Sequence, residues 1–158
     1  MQKITPSLWF DTEAEEAAEF YVSLFGDSKI LDVTHYGEAG PREAGMVLTV
    51  SFMLAGQEYT ALNGGPEFPF TEAVSFAVDC EDQEEVDRLW ARLLEGGGVE
   101  SQCGWLRDRF GLSWQIIPSA LPRLLNDPDP ERAQRVMAAM LQMVKIDVAA
   151  LEKAADGV

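Results

Sequence analysis

The sequence has little positive charge and no long apolar run. Twelve basic residues stand against 27 acidic ones, which gives a formal net charge of −15 over 158 residues. Such a charge repels nucleic-acid phosphates and anionic lipid headgroups, so neither is an expected partner. No apolar stretch approaches the roughly 20 residues of a membrane span, and the N-terminus lacks the pattern of a secretion signal. We therefore expect a cytoplasmic protein.

Cysteine and histidine are also scarce. Cys80 and Cys103 lie far apart without metal-ligand spacing, so we expect two reduced thiols rather than a disulfide or a metal site. His35 is the single histidine and a candidate general base, although a strand histidine is more often simply hydrogen-bonded. Residues 63–65, Asn-Gly-Gly, are more typical of a turn than of a phosphate cradle. The composition, 47% hydrophobic and 25% charged, is that of one globular domain over residues 1–158.

An internal duplication organises the chain. A shift of 69 positions superimposes the apolar face of one helical pattern on that of another. The matched residues are Ala17, Phe20, Tyr21, Leu24 and Phe25, and Val86, Leu89, Trp90, Leu93 and Leu94. Thr12 with Glu15, and Asp82 with Glu85, predict a capping box at the start of each helix.

Strand patterns surround both helices, so each half is predicted to be a βαβββ module. Module one covers residues 1–63, a Gly/Pro-rich linker covers 64–72 and module two covers 73–118. Neither module buries the apolar face of its sheet alone. We therefore expect an α+β fold in which the two modules form a curved mixed sheet, with both helices outside and a cup-like cavity inside.

Residues 119–158 form a predicted helical extension. "SALPRLL" indicates a short turn, Asp129-Pro130-Glu131 starts one helix, and Asp147 caps a last one. The first of these helices has a Met-rich apolar face, made of Ala133, Val136, Met137, Met140, Leu141 and Val144. This face either packs within its own subunit or closes a cup, which belongs to its own chain or to a partner chain. A homodimer would cover it.

Period-two alternation identifies the strand residues that face the cup. In "SWQII" it directs Trp114 and Ile116 to the helix side and Gln115 to the cavity. A buried amide without a hydrogen-bond partner would cost roughly 1–3 kcal/mol, and a position facing the cavity avoids this cost. In "AVSFAV" it directs Val74, Phe76 and Val78 to the helix. The predicted ligand-binding residues are Ser7, Trp9, Thr60, Leu62, Ser75, Ala77, Gln115 and Ile117.

Three stretches carry a resemblance to a known family. They are "ALNGGPEFPFTEAVSFAVDCEDQEEVDRLWARL", "QCGWLRDRFGLSWQIIP" and "RAQRVMAAMLQMVKIDVAALEKA". They resemble the PhnB-like family, also described as the 3-demethylubiquinone-9 3-methyltransferase domain. This family is part of the vicinal oxygen chelate superfamily, with glyoxalase I, extradiol dioxygenases and bleomycin-resistance proteins. The resemblance implies paired modules and usually a homodimer.

The resemblance also implies where a superfamily metal would be held, on the inward faces of four strands. Those positions carry Ser7, Thr60, Ser75 and Gln115, which are neutral and poor ligands. We therefore expect no bound metal. The glycine-containing stretches do not form the Gly-rich strand-to-helix turn that usually cradles a methyl donor, so no cofactor is expected either.

Three functions are consistent with these features. The first is a metal-independent protein that binds or sequesters a small organic molecule, as in the bleomycin-resistance branch. The second is an enzyme that acts on a quinone-like or other small substrate, with His35 as a possible base. The third is an interaction module with a vestigial cup.

The bend at Arg107, Asp108 and Arg109 either recognises an anion or is a solvated turn that Asp108 braces.

Overall fold

The computed structural model describes residues 2–158, in two compact units. The first unit ends at Phe70 and the second runs from Thr71 to Val158. Within residues 2–158, no helix combines the length and apolar character that crossing a membrane requires.

The first unit is a βαβββ module with one open four-stranded sheet. The strand order is β1-β4-β3-β2, with β1 parallel to β4 and the other pairs antiparallel. Its elements are β1 (Ser7–Phe10), α1 (Ala14–Val22), β2 (Lys29–His35), β3 (Val47–Leu54) and β4 (Gln57–Asn63).

The second unit repeats this plan and adds three helices. The strand order is β5-β8-β7-β6, again with the outer pair β5 and β8 parallel. Its elements are β5 (Ser75–Cys80), α2 (Gln83–Leu94), β6 (Val99–Glu100), β7 (Trp105–Arg107), β8 (Ser113–Pro118), α3 (Ala120–Leu125), α4 (Pro130–Met140) and α5 (Val148–Asp156).

The predicted α+β class, with two βαβββ modules and C-terminal helices, is confirmed. The continuous curved sheet, the cup and the assignment of 1–158 as one domain concern how the two units are arranged, and they stay predictions. Seen by itself, each unit has an open mixed sheet of four strands.

Alternation assigned the strand faces correctly in β1 and β8, whose residues next to the predicted ligand-binding positions are buried on the opposite face. Leu8 and Phe10 in β1, and Trp114 and Ile116 in β8, are all buried. Val74 is an exception to the prediction, since it precedes β5 and its side chain is 64% exposed. The strand β5 begins at Ser75, two residues later than the predicted strand, which began at Ala73.

The capping box predicted for α1 at Thr12 and Glu15 is wrong. The helix begins at Ala14, and its N-cap residue Glu13 makes no side-chain cap. The cap comes instead from Asn63, which was predicted to be part of a turn. Asn63 is the last residue of β4. Its Oδ1 accepts from the Ala14 amide at 2.8 Å, and its Nδ2 donates to the Val47 carbonyl at 3.0 Å. A cap 49 residues away in the sequence therefore joins helix and sheet.

The other predicted caps are confirmed. The Asp82 carboxylate accepts from the Glu85 amide at 2.9 Å at the start of α2. Asp129 accepts from the Glu131 amide at 3.0 Å and Asp147 from the Ala150 amide at 3.0 Å, at the start of α4 and α5.

The C-terminal helices pack on the second unit's own sheet. "SALPRLL" is not a simple turn, because residues 120–125 form the helix α3. Ile117 of β8 packs against their core. That core consists of Leu121, Leu124, Val136, Ile146, Leu151 and Ala155. One part of the predicted apolar face of α4 is therefore covered within the subunit.

The segment between α4 and α5 is fastened to two parts of the second unit. The Gln83 amide of α2 donates to the Ile146 carbonyl at 2.9 Å and accepts from the Val148 amide at 2.7 Å. The amides of Cys103 and Gly104 donate to the carbonyls of Met143 and Val144, both at 2.8 Å. These bonds hold the extension against α2 and against the turn before β7.

A salt bridge adds to this fastening. Lys145 Nζ lies 2.7 Å from Asp87 Oδ1 of α2. The hydrogen bonds from Lys145 and Gln83 hold the pKa of the Asp87 carboxyl below its ordinary value.

Replacing Asn63 tests the distant cap. Asn63→Ala leaves the Ala14 amide and the Val47 carbonyl without their partner, so the free energy of unfolding should fall by about 2 kcal/mol or more in urea titrations. The matched control is Thr12→Ala, the cap expected from sequence, whose hydroxyl bonds only to the neighbouring Glu13 carboxylate at 3.4 Å. It should change stability by no more than about 0.5 kcal/mol. Equal losses in the two variants would contradict the assignment.

Candidate ligand-binding site

In the first unit, the predicted ligand-binding residues lie on one sheet face. Ser7 is in register with Thr60, and Trp9 with Leu62. Ser7 is exposed, and the other three are half-buried. The structure thus brings these four side chains together as the alternation predicted.

Trp9 already has partners within the chain. Its indole N–H donates to the Gly65 carbonyl at 2.8 Å, and its ring meets Phe68 edge-on at 4.9 Å between centroids. A Cβ at position 64 would clash with the indole, so glycine is required there. Part of the Trp9 ring is therefore covered by the linker that follows β4.

In the second unit, the environment of Gln115 is defined by a neighbouring strand. Its Nε2 donates to Ser75 Oγ of β5 at 2.9 Å. The side chain is half-buried, whereas the flanking Trp114 and Ile116 are fully buried on the helix side. The side chain of Gln115 thus lies on the sheet face opposite α2, and Ser75 provides the acceptor for its amide N–H.

A groove of about 420 Å³ lies over this face, and we call it the Gln115 groove. Its floor comes from three neighbouring strands, because Asp79 is in register with Ile117 and Gln115 with Trp105. Its remaining walls come from the turn before β7, from α3 and from the end of α4. The lining residues are Asp79, Cys103, Trp105, Gln115, Ile117, Leu121, Pro122, Leu125 and Met140.

The groove contains two of the four predicted residues of the second unit. Gln115 and Ile117 line it, whereas Ser75 contributes through its bond to Gln115 and Ala77 is exposed on the same face of β5. Asp79 continues the alternation of Ser75 and Ala77, so extending that pattern by two residues would have found it. The α3 wall was missed because the segment was interpreted as a turn.

The two cysteines occupy different environments. Cys80 is 1% exposed, and burial, with a smaller contribution from Glu85, raises the pKa of its thiol to about 12. Cys103 lines the groove, is half-buried and has a φ of 57°. Both are free thiols, and Cys103 is less buried than Cys80.

The charged bend is organised by Asp108, which is 3% exposed. Its Oδ1 accepts from the amides of Phe110 at 2.9 Å and Leu112 at 3.0 Å. Its Oδ2 accepts from the Trp114 indole N–H at 2.9 Å. The interpretation of Asp108 as a brace for the turn is therefore confirmed.

The two arginines of the bend have partners within the second unit. Arg107 lies 3.8 Å from the Glu72 carboxylate, and the Arg109 guanidinium lies over the Phe110 ring at 4.5 Å. Neither lines the Gln115 groove. The anion-binding interpretation of this bend gains no support from these contacts.

The residues present do not fit a superfamily metal. Ser7, Thr60, Ser75 and Gln115 offer only neutral oxygen and nitrogen atoms, which are weak donors for a divalent transition metal. Ser75 Oγ is already engaged by Gln115. Across the described residues, 2–158, no group of three or more His, Cys, Asp or Glu side chains is arranged to hold a metal ion.

His35 lies at the end of β2, in register with Val47 of β3, and is exposed. It belongs to the first unit, whereas the residues of the groove all belong to the second. Its role as a general base stays a prediction.

Comparison with known proteins defines the family. The sequence model of the 3-demethylubiquinone-9 3-methyltransferase family matches residues 2–117. The chain belongs to this family. The PhnB protein from Bacillus cereus is 38% identical, with a TM-score of 0.69, and its whole chain matches 75% of this one. The resemblance to PhnB-like proteins is therefore confirmed.

A more distant relative has the same fold. Protein PA1353 from Pseudomonas aeruginosa is 21% identical with a TM-score of 0.60, and the match covers 75% of this chain and 98% of that one. Among curated proteins, none matches.

The 3-demethylubiquinone-9 3-methyltransferase family match ends inside β8, so residues 118–158 lie beyond it. The part of the Gln115 groove formed by α3 and Met140 comes from this extension. The strand residues of the groove lie within the family region.

Thiol alkylation should distinguish the two cysteines. With a pKa of about 12, Cys80 has about one thiolate in ten thousand at pH 8, and its side chain is buried. Iodoacetamide followed by peptide mass spectrometry should show Cys103 modified in the folded protein and Cys80 only after denaturation. A Cys103→Ser variant should take up no label when folded. Rapid labelling of Cys80 in the folded state would contradict its burial.

Replacing Asp108 should destabilise the second unit. Asp108→Ala removes the acceptor for two backbone amides and one indole N–H, so we expect a loss of about 3 kcal/mol in urea unfolding. Asp108→Asn keeps an acceptor and should lose less. The control is Arg107→Ala, whose half-exposed ion pair should contribute no more than about 0.5 kcal/mol. A mild effect of Asp108→Ala would show that the turn does not need its brace.

Proposed function

We propose that this protein binds a small organic molecule in the Gln115 groove of the second unit, without a transition metal, and that binding itself is its activity. The observation that carries the proposal is the groove over Gln115 and Ile117, two of the residues that alternation identified. Capture or sequestration of the ligand is the expected biological role.

The size and lining of the groove support this function. A volume of about 420 Å³ lies in the range of small-molecule sites, which are about 300–1,000 Å³. Ile117, Leu121, Leu125 and Met140 supply apolar contact, and Trp105 adds an aromatic ring. Gln115 supplies a polar group whose position is held by Ser75. Apolar walls with few placed polar groups are typical of sites that recognise organic ligands.

An enzyme acting on a quinone-like substrate is the alternative, and the family's description favours it. Methyl transfer also requires a site for the methyl donor, usually a Gly-rich turn from a strand into a helix. Here Gly64 and Gly65 follow β4 and lead into a segment without a helix, and residues 96–98 follow the helix α2. Neither glycine stretch is a turn from a strand into a helix, and for this reason we favour ligand binding over methyl transfer.

We also propose that the protein is a cytoplasmic homodimer. Met137, Leu141 and Val144, at the end of α4 and just beyond it, are 37%, 53% and 43% exposed. A second copy of the chain would bury this apolar surface. Ser7, Trp9, Thr60 and Leu62 stay proposed ligand-binding residues of the first unit, and the Thr60→Val variant below tests this face separately.

Ligand-induced thermal shifts test the binding site. The panel consists of planar phenols and quinones, and compounds that stabilise the wild-type protein are retested on Gln115→Leu, which removes the amide, and Leu125→Trp, which fills the groove. A tenfold loss of affinity would remove about 1.4 kcal/mol of the stabilisation at saturating ligand. We expect a loss of at least this size in both variants.

Thr60→Val is the matched control, since it changes a polar residue of the first unit. It should leave the shifts intact if the groove alone binds the ligand. Shifts that survive both groove variants but vanish in Thr60→Val would place the site in the first unit. Transfer of a methyl group from S-adenosylmethionine to a demethylated quinol by the purified protein would support the enzyme instead.

A further inference from the structure

Asp79 is the only charged side chain among the residues that line the Gln115 groove. It lies on β5, the edge strand of the second sheet, and projects from the same face as Ser75 and Gln115. The other polar groups of the lining are the Gln115 amide and the Cys103 thiol, and the remaining lining residues are apolar or aromatic.

The Asp79 carboxylate has no ionic partner in its own unit. The ion pairs between described residues 71–158 involve other carboxylates, such as Glu72 with Arg107 and Asp87 with Lys145. None of the residues that line the groove is Lys, Arg or His. A negative charge therefore stands at one side of an apolar groove whose lining contains no cation.

From these observations, and resting on the function proposed above, we infer that the ligand is an organic cation. Its protonated amine pairs with Asp79, and the apolar part of the ligand packs on Ile117, Trp105 and the wall of α3. A charge-assisted hydrogen bond from an ammonium to a carboxylate is stronger than a neutral one. An anionic ligand of the same shape would be repelled.

The sheet geometry indicates the size of this ligand. Asp79, Gln115 and Trp105 lie on three adjacent strands, and neighbouring strands are about 4.8 Å apart. Asp79 and Trp105 are about 10 Å apart across the sheet and offset by two residues along it, so their backbones are about 12 Å apart on the diagonal. A ring joined to an amine through a chain of a few carbons spans that distance.

Three compounds with one hydrocarbon body test the inference: 4-phenylbutylamine, 4-phenylbutan-1-ol and 4-phenylbutyrate. Their affinities for the full chain are measured by calorimetry at low ionic strength, where an exposed charge pair is least screened. We expect the amine to bind about tenfold more tightly than the alcohol, and the carboxylate to bind most weakly.

Two variants assign the preference to its residue. Asp79→Asn removes the charge with almost no change of shape, and the exposed side chain takes part in no ion pair of the unit, so the fold should be kept. It should bring amine and alcohol to within about twofold of each other. Glu84→Gln, an exposed residue of α2 outside the groove, changes the net charge equally and should keep the tenfold preference.

Each outcome decides one of the two proposals. Equal binding of amine and alcohol, or a preference that survives in Asp79→Asn, would overturn the cation inference and leave the groove as a binding site. Loss of the preference in Glu84→Gln as well would show an effect of overall charge, and would overturn the assignment to Asp79. If the wild-type protein binds none of the three compounds but the phenols and quinones still produce groove-dependent shifts, only the cation inference fails. If neither set binds, both proposals fail.

Discussion

The side chain of Gln83 holds the C-terminal extension against the second sheet. Its amide donates to the carbonyl of Ile146 and accepts from the amide of Val148, the first residue of α5. Backbone bonds from Cys103 and Gly104 fasten the same segment to the turn before β7. The Gln115 groove depends on this fastening, because one wall is formed by helices that follow the last strand. Without the extension, the face of β8 that carries Gln115 and Ile117 would be open.

Buried polar residues serve the architecture in both units. In the first, Asn63 joins the start of α1 to β3 through the two ends of its amide. In the second, Asp108 holds a turn and the indole of Trp114 with one carboxylate. Each is almost completely buried, so its hydrogen bonds form where unpaired groups cost most. The polar residues of the sheet faces differ, since Gln115 and Thr60 are only half-buried and stay accessible to a ligand.

Much of the fold was predictable because its signals are local. The 69-residue duplication, the apolar helix faces and three of the four caps depend on residues within a turn or two of one another. The cap of α1 was not predictable in this way, because its acceptor lies 49 residues downstream. The role of Asp108 as a brace could be inferred from sequence, because its donors lie within six residues of it. The partner of Gln115 could not, because Ser75 lies 40 residues away.

Periodicity was sufficient to establish the two modules and the face on which Gln115 lies. It depends only on side-chain direction along a single strand or helix. The groove itself forms only in the folded chain, because its lining residues are spread along the sequence from Asp79 to Met140. Strand register brings Asp79 beside Ile117 and Trp105 beside Gln115, and the packing of α3 encloses them. Contacts between segments distant in sequence leave no periodic signal, so only the folded chain reveals them.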